Sequence, residues 1–177
     1  MIFGGGVLGY YFDRLIFKNI HSNIIFHVVC LLIGILLLFL VIRISKNTGR
    51  TLAKYGRKGD LKRMQTNVLA KQGIYKYMRH PMHLGLFLFP LGIAFLIGSP
   101  SFILFIAPIE IIFMLIMIKL VEEPGVIKKF GDEYINYKKQ VPWFCFKIKC
   151  LKELLIKVPK KYAEHSQSTG TDYLPHF

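Results

Sequence analysis

Acid is what this sequence is short of. Ten Asp and Glu stand against 24 Lys and Arg, a formal net charge of +14. Charge of either sign is missing altogether from residues 24 to 42, and residues 102 to 118 carry only Glu110. Uncharged runs of that length match the ~20 apolar residues that a bilayer core of roughly 30 Å asks of a helix. With 53% hydrophobic residues, the composition argues against an ordinary soluble domain and for an integral membrane protein. Cysteine is scarce too. Cys30 lies in an apolar run, and Cys145 with Cys150 makes a C-x4-C. That spacing sets neither a disulfide framework nor a closed zinc site, so reduced, incidental thiols are expected.

The excess of base is placed, not spread. After Arg14 and Lys18, eleven Lys or Arg fall between Arg43 and Arg79, and eleven more between Lys119 and Lys161. Basic blocks that border apolar spans mark the cytoplasmic side and attract anionic lipid headgroups. They form no separate basic domain, which argues against a nucleic-acid partner. Anionic membrane lipids are the expected partners instead.

Along the chain, Met1 to Phe17 reads as a marginal first span interrupted by Asp13 and Arg14. It lacks a basic n-region and a small-residue cleavage site, so a removed signal peptide is not expected. GGGVLG at residues 4 to 9 matches G-x-G-x-x-G literally. Without a preceding strand the match is empty, and Gly5 with Gly9 fits close helix packing better. Ile24 to Ile44 is the clearest span, followed by a polar, basic stretch from Ser45 to Met78. Pro81 suits a helix's first turn. Met82 to Gly98 forms a third span with Pro90 as a kink, GSPS a turn, and Phe102 to Val121 a fourth span. Pro124 signals a further helix start. Val126, Ile127, Phe130, Tyr134 and Tyr137 then recur at helical spacing, as on an amphipathic surface helix. Phe144 to Val158 repeats the pattern with lysines interleaved. His165 to Phe177 reads as a disordered tail without a prenylation box.

The expected architecture is an all-α, multi-pass membrane protein of about four transmembrane helices, with a C-terminal hairpin and cytoplasmic interfacial helices. Residues 1–45 hold the first membrane helices, 46–144 a catalytic part with the hairpin at 82–121, 145–160 a basic interfacial segment and 161–177 the tail. A helical hairpin brings its two ends together. Arg79, His80 and His83 would then meet Glu122 and Glu123 at the cytoplasmic surface. Headgroup anchoring, a three-ligand metal site and a polar ligand held at the membrane edge all remain open for that cluster. Glu110 is an intramembrane carboxylate, functional by default. It lies about 120° around the helix from Glu122, and Pro108 is nearby, so a structural partner such as His27 accounts for it equally well.

GIYKYMRHPMHLG at residues 73 to 85, then EE, then FGDEYINYKKQVPWF resembles the isoprenylcysteine carboxyl methyltransferase and phospholipid methyltransferase superfamily. Its pattern is Gly-x-Tyr, Arg-His-Pro-x-Tyr-x-Gly, a hairpin, Glu-Glu, Phe-Gly-x-x-Tyr-x-x-Tyr and Val-Pro, and the likeness covers roughly residues 49 to 144. The resemblance implies methyl transfer from S-adenosylmethionine to a lipid or prenylated-cysteine acceptor, with the active site facing the cytoplasm. It places Asn67, Val68, Leu69, Ala70, Tyr75, His80, Pro81, Met82 and His83 at the cofactor, and Glu122, Glu123 and Arg79 at the reaction, with no metal. Glu122 is the better candidate to lie beside the acceptor. Two positions depart from the pattern. His83 replaces the usual tyrosine and introduces a group able to change charge near neutral pH. Where the eukaryotic isoprenylcysteine enzymes have an arginine one turn before the acidic pair, the nearest cation here is Lys119 in a shifted register, which does not support a bidentate grip on a substrate carboxylate. Alternative readings are an NADPH-dependent sterol-type reductase, which has a related Arg-His-Pro-Asn-Tyr element, and a non-catalytic scaffold.

Overall fold

A computed structural model of the chain describes residues 2–59 and 65–156. The expected disordered tail lies outside the described residues. Helices account for all regular structure among those described: α1 (Ile2–Ile16), α2 (Lys18–His21), α3 (Ile24–Tyr55), a 3-10 turn (Gly73–Lys76), α4 (Pro81–Ile97), α5 (Ala107–Met117), α6 (Glu123–Phe130), α7 (Asp132–Gln140) and α8 (Ile148–Leu155). Wide π turns at Phe102–Ile106 and Ile118–Glu122 flank α5, so the helix runs on from Phe102 to Phe130.

Two helices, Ile24–Tyr55 and Phe102–Phe130, are long and apolar enough to cross a membrane. Pro81–Ile97 is apolar but shorter. Only 17% of the most apolar window of either long helix is buried by protein, whereas the core helix of a soluble domain would be mostly covered. Ile24, Ile25, Leu32, Leu36, Phe39, Ile109 and Leu120 all point outward. Apolar faces of that kind suit lipid, and a helix suits it further by satisfying its own backbone.

The chain divides into two compact units, each made of two separated stretches. The first comprises residues 1–43 and 83–126. Its centre is Ala94, Phe102 and Ala107, with Leu91, Ile93, Ile103 and Ile106 packed around them. Two glycines key α3 to α4. A Cβ at Gly34 would fall 2.7 Å from the Leu96 backbone nitrogen, and one at Gly92 would fall 2.8 Å from Leu38 Cδ2. Each helix thus offers a notch to a leucine of the other, four residues from its own leucine. The turn after α4 is fixed by Gly98, whose φ of +66° few other residues adopt, and any Cβ there would collide with the His27 ring.

Asp13 looks like a flaw in a membrane span but serves as a cap. Its Oδ1 accepts a 2.8 Å hydrogen bond from the Ser101 backbone N–H, at the start of the helix that leads into α5, and its side chain is buried. Ser99 Oγ accepts from Phe102 N at 3.1 Å. Both serve N–H groups that a helix start leaves without partners. Gly9 lies where a Cβ would press on Ser99 Oγ, so the small residue does permit close packing.

The second unit comprises, of the described residues, 44–59, 65–82 and 127–156. Here α3 departs from the expected end near Ile44. It continues through the polar residues to Tyr55, because Asn47, Thr48 and Thr51 are buried and satisfied. Thr48 and Thr51 donate to the carbonyls of Ile44 and Asn47, both at 2.8 Å, and Asn47 donates to the Leu154 carbonyl at 3.1 Å. Tyr134 and Tyr137 are also buried in this unit, so the aromatic stripe of α7 packs on protein. The thiol expectation is corrected at Cys145 and Cys150, which are disulfide-bonded. The bend from Phe144 into α8 sets their Cα atoms 6.0 Å apart, within the reach of such a bond. Cys30 is a free, buried thiol.

Candidate active site

The first unit brings together one pair named from the sequence. Pro81 opens α4, so His83 sits in its first turn, while Glu122 closes the π turn after α5. His83 Nε2 lies 2.9 Å from Glu122 Oε2. Both are partly exposed, with side-chain exposures of 22% and 38%, so the pair is held in place yet open to a ligand. Beside it runs a groove of about 250 Å³ walled by Leu86, Met114, Met117, Ile118 and Val121. A polar pair therefore stands at an apolar slot. Two methionines in the wall let the slot adapt to irregular shapes.

The two acidic neighbours are not equivalent. Glu123 is buried at 3% exposure, and Glu122 faces the groove. Glu110 is buried in α5, and its Oε1 has no hydrogen-bond partner among the described residues. It is absent from the groove wall, which separates it from the His83–Glu122 pair.

The second unit assembles the remaining motif residues. Gly73 opens the 3-10 turn with φ +60°, and a Cβ there would strike Thr51. That turn buries Tyr75, whose carbonyl accepts a 2.5 Å hydrogen bond from the Tyr137 hydroxyl. Burial, then the neighbouring Tyr134 and Tyr75, push the Tyr137 phenol well above its ordinary range, against a smaller lowering by Arg79. Tyr137 is thus a protonated donor at any physiological pH.

Arg79 and His80 are held by a segment that the sequence reading left without a role. Arg79 N donates to the Pro142 carbonyl at 2.9 Å, and His80 N donates to the Trp143 carbonyl at 3.2 Å. The Arg79 guanidinium reaches Tyr134 Oη at 3.4 Å and lies over the Trp143 ring at 5.8 Å. His80 is buried, edge-on to Trp143 with ring centres 6.0 Å apart. The Val-Pro-Trp element is therefore the backbone clamp of the Arg-His-Pro element. Trp143, Tyr134 and Tyr137 belong beside the residues named earlier. Their signal was the motif spacing itself, which carries no statement of which piece touches which.

Asn67 is anchored by its side chain. Its side chain pairs in both directions with the Lys58 backbone, accepting at 2.8 Å and donating at 2.7 Å. The backbone amides of Asn67 and Val68 both donate to the Gly56 carbonyl. Lys129 Nζ donates to the Thr66 carbonyl. The segment from Asn67 to Ala70 is thus tied down by its own surroundings. Ala70 is buried, and Val68 and Leu69 are half-buried.

Comparison with known proteins points to the same family as the motifs. The chain is 34% identical over 87 residues to the protein-S-isoprenylcysteine O-methyltransferase of Schizosaccharomyces pombe, covering 46% of this chain and 34% of that protein. It is 34% identical over 86 residues to the Saccharomyces cerevisiae protein of the same name, covering 45% and 33%. The Mus musculus counterpart is 29% identical over 83 residues, covering 44% and 27%. The matched stretch spans about a third of the length of these relatives. No solved structure gives a significant match. The family model described as phospholipid methyltransferase matches residues 23–133, which include α3, the Arg-His-Pro element and the His83–Glu122 pair. On that match, across well over half its length, the chain belongs to the phospholipid methyltransferase family.

Proposed function

We propose that the chain is a membrane-embedded, S-adenosylmethionine-dependent methyltransferase. Its acceptor is a lipid or a prenylated cysteine, reached at the cytoplasmic face of a membrane that the chain crosses about four times. The observation that carries this reading is the His83–Glu122 pair at the mouth of an apolar groove, a polar reaction point beside a slot for a tail. The relatives named above, isoprenylcysteine methyltransferases, supply the class of acceptor.

The donor set of the second unit suits the cofactor. Adenine, ribose and an amino-acid tail call for aromatic surface and hydrogen-bond donors, and Tyr75, Tyr134, Trp143, Arg79 and His80 supply both. When bound, S-adenosylmethionine supplies an electrophilic methyl on sulfur. The task left to the protein is alignment and exclusion of water. Tyr137 holds the Tyr75 turn, and the Pro142 and Trp143 carbonyls hold Arg79 and His80. The groove wall orients the acceptor by its apolar part. A carboxylate acceptor attacks through an oxygen lone pair and needs no base. An amine acceptor must first lose a proton, and the His83–Glu122 pair is placed to take it.

The test is calorimetry of S-adenosylmethionine on detergent-purified protein, with NADPH as comparison and His80→Ala as control, followed by transfer of a labelled methyl to prenylcysteine and to phospholipid. Saturable binding that His80→Ala weakens is expected. Binding of NADPH with none of S-adenosylmethionine overturns the reading.

A further inference from the structure

The groove and the motif residues leave one feature of the second unit without a role. Helix α8 has a single broad apolar arc, and only part of it is covered. At about 100° per residue, Cys150 and Leu154 share one face, and both are buried against the unit, with the helix packed on the Gly73–Lys76 turn. The uncovered part of the arc carries Ile148 and Leu151, 74% and 38% exposed, and Lys152 lies just beyond Ile148 at its edge. Phe146 just before the helix is 69% exposed, and Ile156 just after it is 55% exposed. Lys147, Lys149 and Lys152 are all exposed, against a single acid, Glu153, in the helix. The Cys145–Cys150 bond closes the loop that displays Phe146.

Four large apolar side chains left in water within eleven residues call for an occupant. A second copy meeting this face about a two-fold axis would set lysine against lysine. A layer of anionic headgroups over hydrocarbon matches both kinds of side chain, the rings and branched chains entering the acyl boundary while the ammonium groups stay among phosphates. The helices of this chain that are long and apolar enough to span a bilayer keep such a surface always within reach.

We propose that Phe146–Ile156 is a membrane foot that binds an anionic lipid surface. Phe146, Ile148, Leu151 and Ile156 insert, and Lys147, Lys149 and Lys152 read the headgroup charge. Each lysine at such a surface strengthens attachment by roughly fivefold.

The experiment places a reporter at the tip. Full-length protein carrying Phe146→Trp is reconstituted in nanodiscs of phosphatidylcholine, alone or mixed with phosphatidylserine. Quenching by brominated lipid is compared with quenching by aqueous acrylamide, after subtraction of the signal of the unsubstituted chain. The expected result is lipid quenching that strengthens with phosphatidylserine and is lost in Lys147→Glu/Lys149→Glu/Lys152→Glu. Quenching by acrylamide alone in both membranes overturns the proposal. Equal lipid quenching in both overturns its anionic-lipid part. The readout involves no methyl transfer, so its failure is separate from a failure to bind S-adenosylmethionine.

Discussion

The two units of this chain are held by different means. The first has an apolar centre, outward faces that are apolar as well, and a glycine–leucine interlock between α3 and α4. Its buried polar chemistry concentrates at a few points, above all the Asp13 cap. The second is stitched by side-chain and backbone hydrogen bonds across long stretches of sequence: Tyr137 to Tyr75, Asn47 to Leu154, and Arg79 and His80 to Pro142 and Trp143. The contrast follows the solvent. Between lipid-facing helices, burial of apolar surface gives little drive, so close packing and rare polar keys decide the arrangement. Where water is available, burial and hydrogen bonding share the task. Removing one polar contact should therefore do different things in the two units.

The largest effect is expected at Glu122. Glu122→Gln keeps the shape of the groove mouth and removes the carboxylate, so labelled methyl transfer to an amine acceptor should fall about 100-fold or more. S-adenosylmethionine binding by calorimetry should stay within a few-fold. If binding falls with turnover, the division of roles between the units is wrong.

Asp13→Ala comes next. It strands a buried N–H at Ser101, a loss of about 1–3 kcal/mol for one hydrogen bond. Reactivity of the buried Cys30 thiol during heating reports on the same unit, and its onset should move to lower temperature. Asp13→Asn keeps an accepting oxygen and should move it less. Equal shifts in the two variants would show that charge and not the hydrogen bond matters there.

Tyr137→Phe tests the second unit, with an expected loss of about 1 kcal/mol and several-fold weaker S-adenosylmethionine binding. The phenol is raised in the folded protein, so its contribution is complete below the ordinary tyrosine pKa of about 10. The difference between the two proteins should be constant through neutral pH and shrink only as alkali passes that value. Shrinkage near neutrality would contradict the donor role.

The smallest effect is expected at Lys71 and Glu133, paired at 2.8 Å but 44% and 54% exposed. Solvent screens such a pair, so Lys71→Ala should change stability by less than about 0.5 kcal/mol in a melt followed by the fluorescence of Trp143, which lies in the same unit.

The helices were legible because apolar runs and proline positions are local signals: Pro81 does open α4, and Gly98 does turn the chain. The meeting of His83 and Glu122 was legible from the motif order and the length of the intervening helices. What stayed hidden was set at a distance. Asp13 reads as an interruption until its partner 88 residues away is known. The polar continuation of α3 to Tyr55 is helical because Asn47, Thr48 and Thr51 find partners, and composition alone cannot show that. The anchoring of the Asn67 amide on the Lys58 backbone is likewise a contact that the motif does not specify. The Cys145–Cys150 bond depends on a local bend that their spacing leaves undetermined.

The paired notches at Gly34 and Gly92 have a mechanical consequence. Teeth set four residues apart on both helices engage like a key in a lock, so α3 and α4 cannot slide along one another without lifting apart first. That makes α4, which carries His83 and Leu86, the fixed jaw of the groove. Widening for a bulkier guest then falls to the opposite jaw, where Met114 and Met117 can change rotamer and the π turn at Ile118–Glu122 leaves the helix slack to flex.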